Sequence, residues 1–215
     1  MARCGVLVQL VLIIVMVTCV ARAQVERTGA TAPAATTSPA TTTTSPTTVP
    51  EEIVENPFYL AWVKYKPGTT VEFELKTDAV GQQMTTHITQ RLVEVSPEKV
   101  VVDVEARIDV PGIPNPPQPQ KQTKTFLPGV PKSEALRSLR PPGAVGDPID
   151  AAAETVHAAG KEIACTVTEF PGHNGTGEGK AKAWRSPQIP GGMVRMESAS
   201  PVMKVELVVT KVEEK

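Results

Sequence analysis

One run of alternation limits the folds open to this chain more than any other feature. From Lys99 to Val110, Val100, Val102, Val104, Ala106, Ile108 and Val110 share one parity. Lys99, Asp103, Glu105, Arg107 and Asp109 take the other, with Val101 the one exception. A strand turns successive side chains to opposite faces, so this pattern gives one dry face and one wet face, the mark of an antiparallel sheet. Val71, Phe73 and Leu75 alternate with Glu72, Glu74 and Lys76 in the same way, and Met203, Val205, Leu207 and Val209 form another inward row opposite Lys204 and Glu206. Between Met84 and Val95 the parity changes, from Met84, Thr86 and Ile88 to Val93 and Val95, which predicts a bulge near Gln90.

Turn signals separate these rows. Pro67-Gly68, Asp78 to Gly81, Ser96-Pro97, Gly160-Lys161, Pro171 to Gly179 and Pro187 to Gly192 punctuate about eight strands. The fold class that follows is mainly β: a curved antiparallel meander sheet or partial barrel with one or two short helices. Asn56 followed by Pro57 is a helix start, and Phe58 to Lys64 fits two turns whose Phe58, Tyr59 and Trp62 would plug one end of the sheet. Ser133 to Arg140 fits a second short turn. Residues 111–148 hold ten of the 21 prolines, among them Pro111, Pro114, Pro116, Pro117 and Pro119. Proline cannot donate to a central ladder, so this segment reads as an excursion over the surface or a cavity mouth.

The sheet signals begin only after residue 50. Arg3 opens the chain, Val6 to Val20 is apolar except for Gln9 and Thr18, and Ala21-Arg22-Ala23 ends the run. A charged start, a short apolar stretch and an A-x-A end describe a secretory signal peptide over 1–23, with Ala21 and Ala23 at the positions a signal peptidase reads and Gln24 first after cleavage. The run is shorter than the ~20 residues that span a bilayer, so no stable membrane span is expected after cleavage. Lipid attachment through Cys19 is the alternative, although Thr18 stands where a lipoprotein box has a smaller residue. Residues 24–50 read as a disordered linker. Thr28 to Pro50 holds ten Thr, five Ala, four Pro and two Ser and no charge, so it has no large apolar group whose burial would offset the entropy of ordering. Residues 51–215 then form a single β domain, and the protein is expected to be exported, to the periplasm or the cell exterior.

Composition excludes several functions. The net charge of −1 becomes −3 when Arg3 and Arg22 leave with the leader, and aromatics are 4% of the chain. A nucleic-acid binder needs a basic face or stacking rings, and this chain has neither signal. Cleavage leaves Cys165 without a disulfide partner, and its alternation with Ile163 and Val167 marks it as a packed core thiol. His87, His157 and His173 are too far apart in sequence for a metal motif, so no metal and no cofactor is expected. His87 lies on the polar parity of its strand. Gly175-Thr176-Gly177-Glu178-Gly179-Lys180 lacks phosphate-loop spacing and reads as a hairpin tip, and Asn174-Gly175-Thr176 is a glycosylation sequon. No G-x-S-x-G elbow is present, and Glu51-Glu52 and Glu213-Glu214 sit in terminal segments. No catalytic residue is assigned.

Several short motifs carry a resemblance. Lys66-Pro67-Gly68-Thr69-Thr70-Val71-Glu72-Phe73 resembles the opening strand of small secreted bacterial β proteins of unknown function, and Arg91 to Val95 with Val100 to Val102 is similar to their second hairpin. Glu154-Thr155-Val156 through Gly160-Lys161-Glu162-Ile163-Ala164-Cys165 resembles a further hairpin. Ala183-Trp184-Arg185-Ser186 followed by Ile189-Pro190-Gly191-Gly192-Met193-Val194-Arg195 resembles another of their strand pairs. The resemblance covers most of 57–210 apart from the Pro-rich segment. It implies a curved sheet like that of lipoprotein carriers of the LolA/LppX type, and it carries over no catalytic residue.

The expected function is a non-enzymatic exported β domain that binds or carries an apolar ligand at the cell envelope, its partner a lipid or another envelope protein. Two other readings stay open: a structural or protein-interaction module with a filled core and no ligand, and a hydrolase.

Overall fold

The computed structural model describes residues 51–79, 81–109, 117–141, 144, 147–171 and 179–215. All lie in the unit Pro50–Lys215. The expected cleavage residues Ala21, Ala23 and Gln24, the alternative anchor Cys19, the linker, His173 and the Asn174 sequon lie outside the described residues.

Nine strands form one sheet. In chain order they are β2 (Thr70–Ala79), β3 (Gln82–Val95), β4 (Val100–Asp109), β5 (Gln120–Phe126), β7 (Ile149–Ala158), β8 (Lys161–Pro171), β9 (Lys180–Arg185), β10 (Met193–Ser200) and β11 (Met203–Glu213). Their spatial order is β5-β4-β3-β2-β11-β10-β9-β8-β7, antiparallel throughout, and the sheet is not closed into a barrel. It is therefore two meanders. The first runs outward from β2 to the edge β5, and the second runs back from the opposite edge β7 to β11, which pairs with β2. The second meander is rolled enough to bring β7 back near β11. A separate two-stranded sheet pairs β1 (Ile53–Glu55) with β6 (Gly129–Pro131).

The predicted fold class holds, and the strand count rises because of the Pro-rich segment. Read from the sequence as an excursion, 111–148 also holds the strands β5 and β6, and the short helix expected at Ser133 to Arg140 forms as α2 (Lys132–Leu139). In β5, Gln-Lys-Gln-Thr-Lys-Thr-Phe is polar on both parities, so period-2 alternation is silent there. An edge strand tolerates that composition, and charge at an edge discourages pairing with another chain. The remainder, residues 127–148, carries the chain from one edge of the sheet to the other, eight steps of ~4.8 Å along a flat sheet.

The turn signalled at Gly160 forms, while the loop read at Pro171 to Gly179, with its Gly175 hairpin tip, lies outside the described residues apart from its ends. Ala159 and Gly160 both take positive φ, 50° and 73°, between the paired residues Ala158 and Lys161. That is the two-residue hairpin turn whose twist suits the strands. The bulge expected near Gln90 lies three residues on. Register shifts between Leu92 and Glu94, which leaves Val93 exposed while Leu92 and Val95 stay on the inward side. Leu92 holds the earlier parity because it is fully buried, so the extra residue goes where exposure costs least.

Helix α1 (Pro57–Trp62) forms as its start signal predicts. Asn56 Oδ1 accepts a hydrogen bond from Phe58 N at 3.0 Å, with Pro57 in the first turn. Its buried face, Tyr59 and Trp62, enters the core formed by Val71, Phe73, Leu92, Val100, Val102, Ile189, Val194 and Val209. Tyr59 Oη donates to Ser96 O at 3.2 Å, and Phe58 stacks on Phe126 at 5.4 Å between ring centroids. Gly191, at φ 77°, fits against the Trp62 indole, where a Cβ would come within 3.2 Å of Nε1. The aromatic plug is thus tied to the β9–β10 loop as well as to the first meander. Helix α2 has no side-chain cap of its own. Glu51 takes that place by accepting from Ser133 N at 2.9 Å, and the Ser133 side chain, followed by this backbone N–H, holds its carboxyl below the usual range.

Candidate functional site

Residues directly opposite one another in an antiparallel ladder share a face. The register therefore sorts the inward side of β2–β5 and β11 into transverse rows. Val95, Val100 and Phe126 make the row nearest α1, and Leu92, Val102 and Lys124 the next. Val71, Gln90, Val104 and Gln122 follow, then Val209, Phe73, Ile88, Ala106 and Gln120. Leu207, Leu75, Thr86 and Ile108 come last.

Burial falls along β4, although Val71, Phe73, Val209 and Thr86 in the farther rows stay buried. Under α1, Val100, Leu92 and Val102 are at most 1% exposed. Farther out, Val104, Ala106, Ile108, Ile88, Leu75 and Leu207 face the same way and are only half-buried. A sheet that filled itself would keep such a row buried throughout, since protein interiors are close-packed. Here the cover thins where the apolar row continues. The floor is aliphatic, and one wall, supplied by β5, is polar: Gln120, Gln122 and Lys124. That is the usual make-up of a small-molecule site, apolar surface with a few polar groups that fix orientation.

Lys124 stands where the covered and open parts meet. It lies opposite Val102, itself opposite Leu92, and among the described residues its ammonium has no hydrogen bond or ion pair. Burial pushes its pKa below the usual lysine value. It is also the one ionisable residue among the described inward positions of β2–β5 and β11. The sequence reading passed over all three polar residues of this wall. The signal available was weak: Thr123, Thr125 and Phe126 favour strand, but no parity of β5 is apolar.

The opposite side of the sheet carries a charged row, and on β8 and β9 it also bears the buried Cys165, Val167 and Trp184. Glu169, Lys182, Glu197, Glu206, Lys76, Thr85 and Asp109 form one row across seven strands. Arg195 bridges Glu197 and Glu206, the latter at 2.9 Å, and lies over the Trp184 ring at 5.3 Å. Trp184 Nε1 donates to Glu154 Oε2 at 2.7 Å. Glu206 and Glu154 are held from other strands and Glu197 from its own, so these acids are partnered in the folded sheet. His87, read as a solvated strand histidine, is on this face with Nε2 3.2 Å from Asp109 Oδ2. His157 is exposed beside Glu162. Cys165 is buried, its thiol pushed up by burial and then by the Glu154 charge. Among the described residues no cluster of His, Cys, Asp and Glu is spaced to hold a metal, and no helix is long and apolar enough to cross a membrane.

No protein-family model matches the sequence. No curated protein matches it either. Solved structures do. One is described as an exported protein with a YMCC-like fold from Bacteroides fragilis, 12% identical, TM-score 0.45, covering 71% of this chain and 99% of that one. Another is described as a lipoprotein from Parabacteroides distasonis, 12% identical, TM-score 0.44, covering 71% and 98%. A third is described as an outer membrane lipoprotein-sorting protein domain from Vibrio parahaemolyticus, 10% identical, TM-score 0.26, covering 68% and 85%. These descriptions are of the same class as the exported β proteins and lipoprotein carriers that the sequence motifs resemble.

Proposed function

We propose that this chain is an exported, non-enzymatic β domain that holds an apolar ligand against the inward face of β2–β5 at the cell envelope. In this reading residues 1–23 are removed on export with cleavage between Ala23 and Gln24, and residues 24–50 tether the domain. One observation carries the binding role: the aliphatic inward rows continue past the cover of α1 as half-buried Ile88, Val104, Ala106 and Ile108. Burying those side chains against a ligand tail removes apolar surface from water, which drives association. The non-enzymatic reading is supported by the chemistry of that face. Its one ionisable group, Lys124, has no base, acid or nucleophile beside it among the described inward residues, and acid–base or nucleophilic catalysis needs such a pair.

The test is organic extraction and mass spectrometry of the exported protein, together with thermal shift on added lipid. The reading predicts co-purifying lipid near one equivalent, or a melting temperature that rises with lipid concentration as binding to the native state requires. Protein that carries no lipid and melts at one temperature with and without lipid contradicts it, and favours a sheet that serves only as an interaction module.

A further inference from the structure

We infer that the occupant of this face is the anion of a long-chain fatty acid, its carboxylate at Lys124 and its tail laid along the inward rows toward Ile108. The inference rests on the binding face proposed above and adds the chemistry of the head group.

Three observations lead to it. Lys124 is a cation on an otherwise uncharged face, without a partner among the described residues, although its neighbours Lys121 and Thr123 on the outer side of β5 are paired with Glu105 and Asp103. Lys124 is half-buried, and a partly desolvated ammonium gains from an anion that reaches it, so the site is complementary to negative charge. The count of charges sets the head: one cation, flanked along the strand by the neutral amide of Gln122, matches a monoanion, and a carboxylate accepts from both groups. The length sets the tail. From Val102, level with Lys124, to Ile108 is six residues, about 20 Å at ~3.4 Å per residue. One acyl chain occupies half of a ~30 Å bilayer core, so the floor takes a single long chain. Phe126 and Phe58 stack beyond Lys124 toward α1 and close that end, which gives the chain its direction.

Equilibrium binding of palmitate and of hexadecanol to the whole mature protein tests this. The tail is shared, and only the charge differs. Wild type is expected to bind palmitate about tenfold or more tighter than the alcohol, the range of one hydrogen bond to a charged group. Lys124→Gln is expected to abolish that preference by weakening palmitate far more than the alcohol, and Lys124→Arg to retain it. Melting curves of both variants establish that they are folded. Equal binding of acid and alcohol by wild type, or a preference that survives Lys124→Gln, overturns the head-group assignment and leaves the apolar face standing. Tight binding of a two-chain anionic phospholipid in place of palmitate overturns the choice of a single-chain carboxylate. Wild type that binds none of these ligands overturns both this inference and the reading beneath it.

Discussion

Lys124 shows how one residue can be costly to the empty protein and useful to the loaded one. Burial pulls its pKa below the ordinary 10.5, so the unfolded chain holds that proton more tightly than the native chain does. At neutral pH the ammonium is charged in both states and the penalty is present in full. As pH rises into the gap below 10.5 the native state loses the proton first, and the penalty fades. Lys124→Met therefore raises the melting temperature of lipid-free protein at pH 7, by about 2–4 °C for each kcal/mol in a chain of this size. The gain shrinks as pH approaches the ordinary lysine value. Tyr59, the ionisable residue of α1, spends its hydroxyl on Ser96 O and Pro97 O and does not offset the lysine. A Lys124→Met variant that melts below wild type at pH 7 would show that the ammonium has a partner in the native state.

At the scale of elements, α1 decides where the core ends. It is six residues long, too short to persist alone, and it exists because Asn56 caps it and Tyr59 and Trp62 bury. Asn56→Ala is expected to cost about 1 kcal/mol of stability, read from the urea midpoint with an unchanged slope. A null effect would mean that aromatic packing alone sets the helix. This element was legible because its signals are local: Asn-Pro and three rings within six residues. The alternating strands β2, β4 and β11 were legible for the same reason, each carrying its own period. β5 was not, since what makes Gln120–Phe126 a strand is the exposed edge of β4, a partner distant in chain and invisible to a window. The bulge was found in kind and misplaced in position, because parity tells that a residue is extra and only packing around Leu92 tells which. The candidate site divides likewise. Its aliphatic floor was written in the valine rows, and its polar wall was hidden in the proline-rich segment.

For the molecule as a whole, the two meanders meet at β2 and β11, and residues 127–148 join their far edges. On β2–β4 and β11 the outer face is charged and the inner face mainly apolar, with the α1 aromatics over one end. In the proposed function the uncovered part of that inner face holds an acyl chain. Photo-cross-linking with a diazirine-bearing long-chain fatty acid, followed by peptide mapping of the adducts, tests it most directly. Adducts are predicted on the peptides bearing Ile88, Val104, Ala106 and Ile108, competed away by unlabelled palmitate and absent from the outer-face peptide bearing Glu197. Adducts spread over both faces, or none that palmitate displaces, would contradict it.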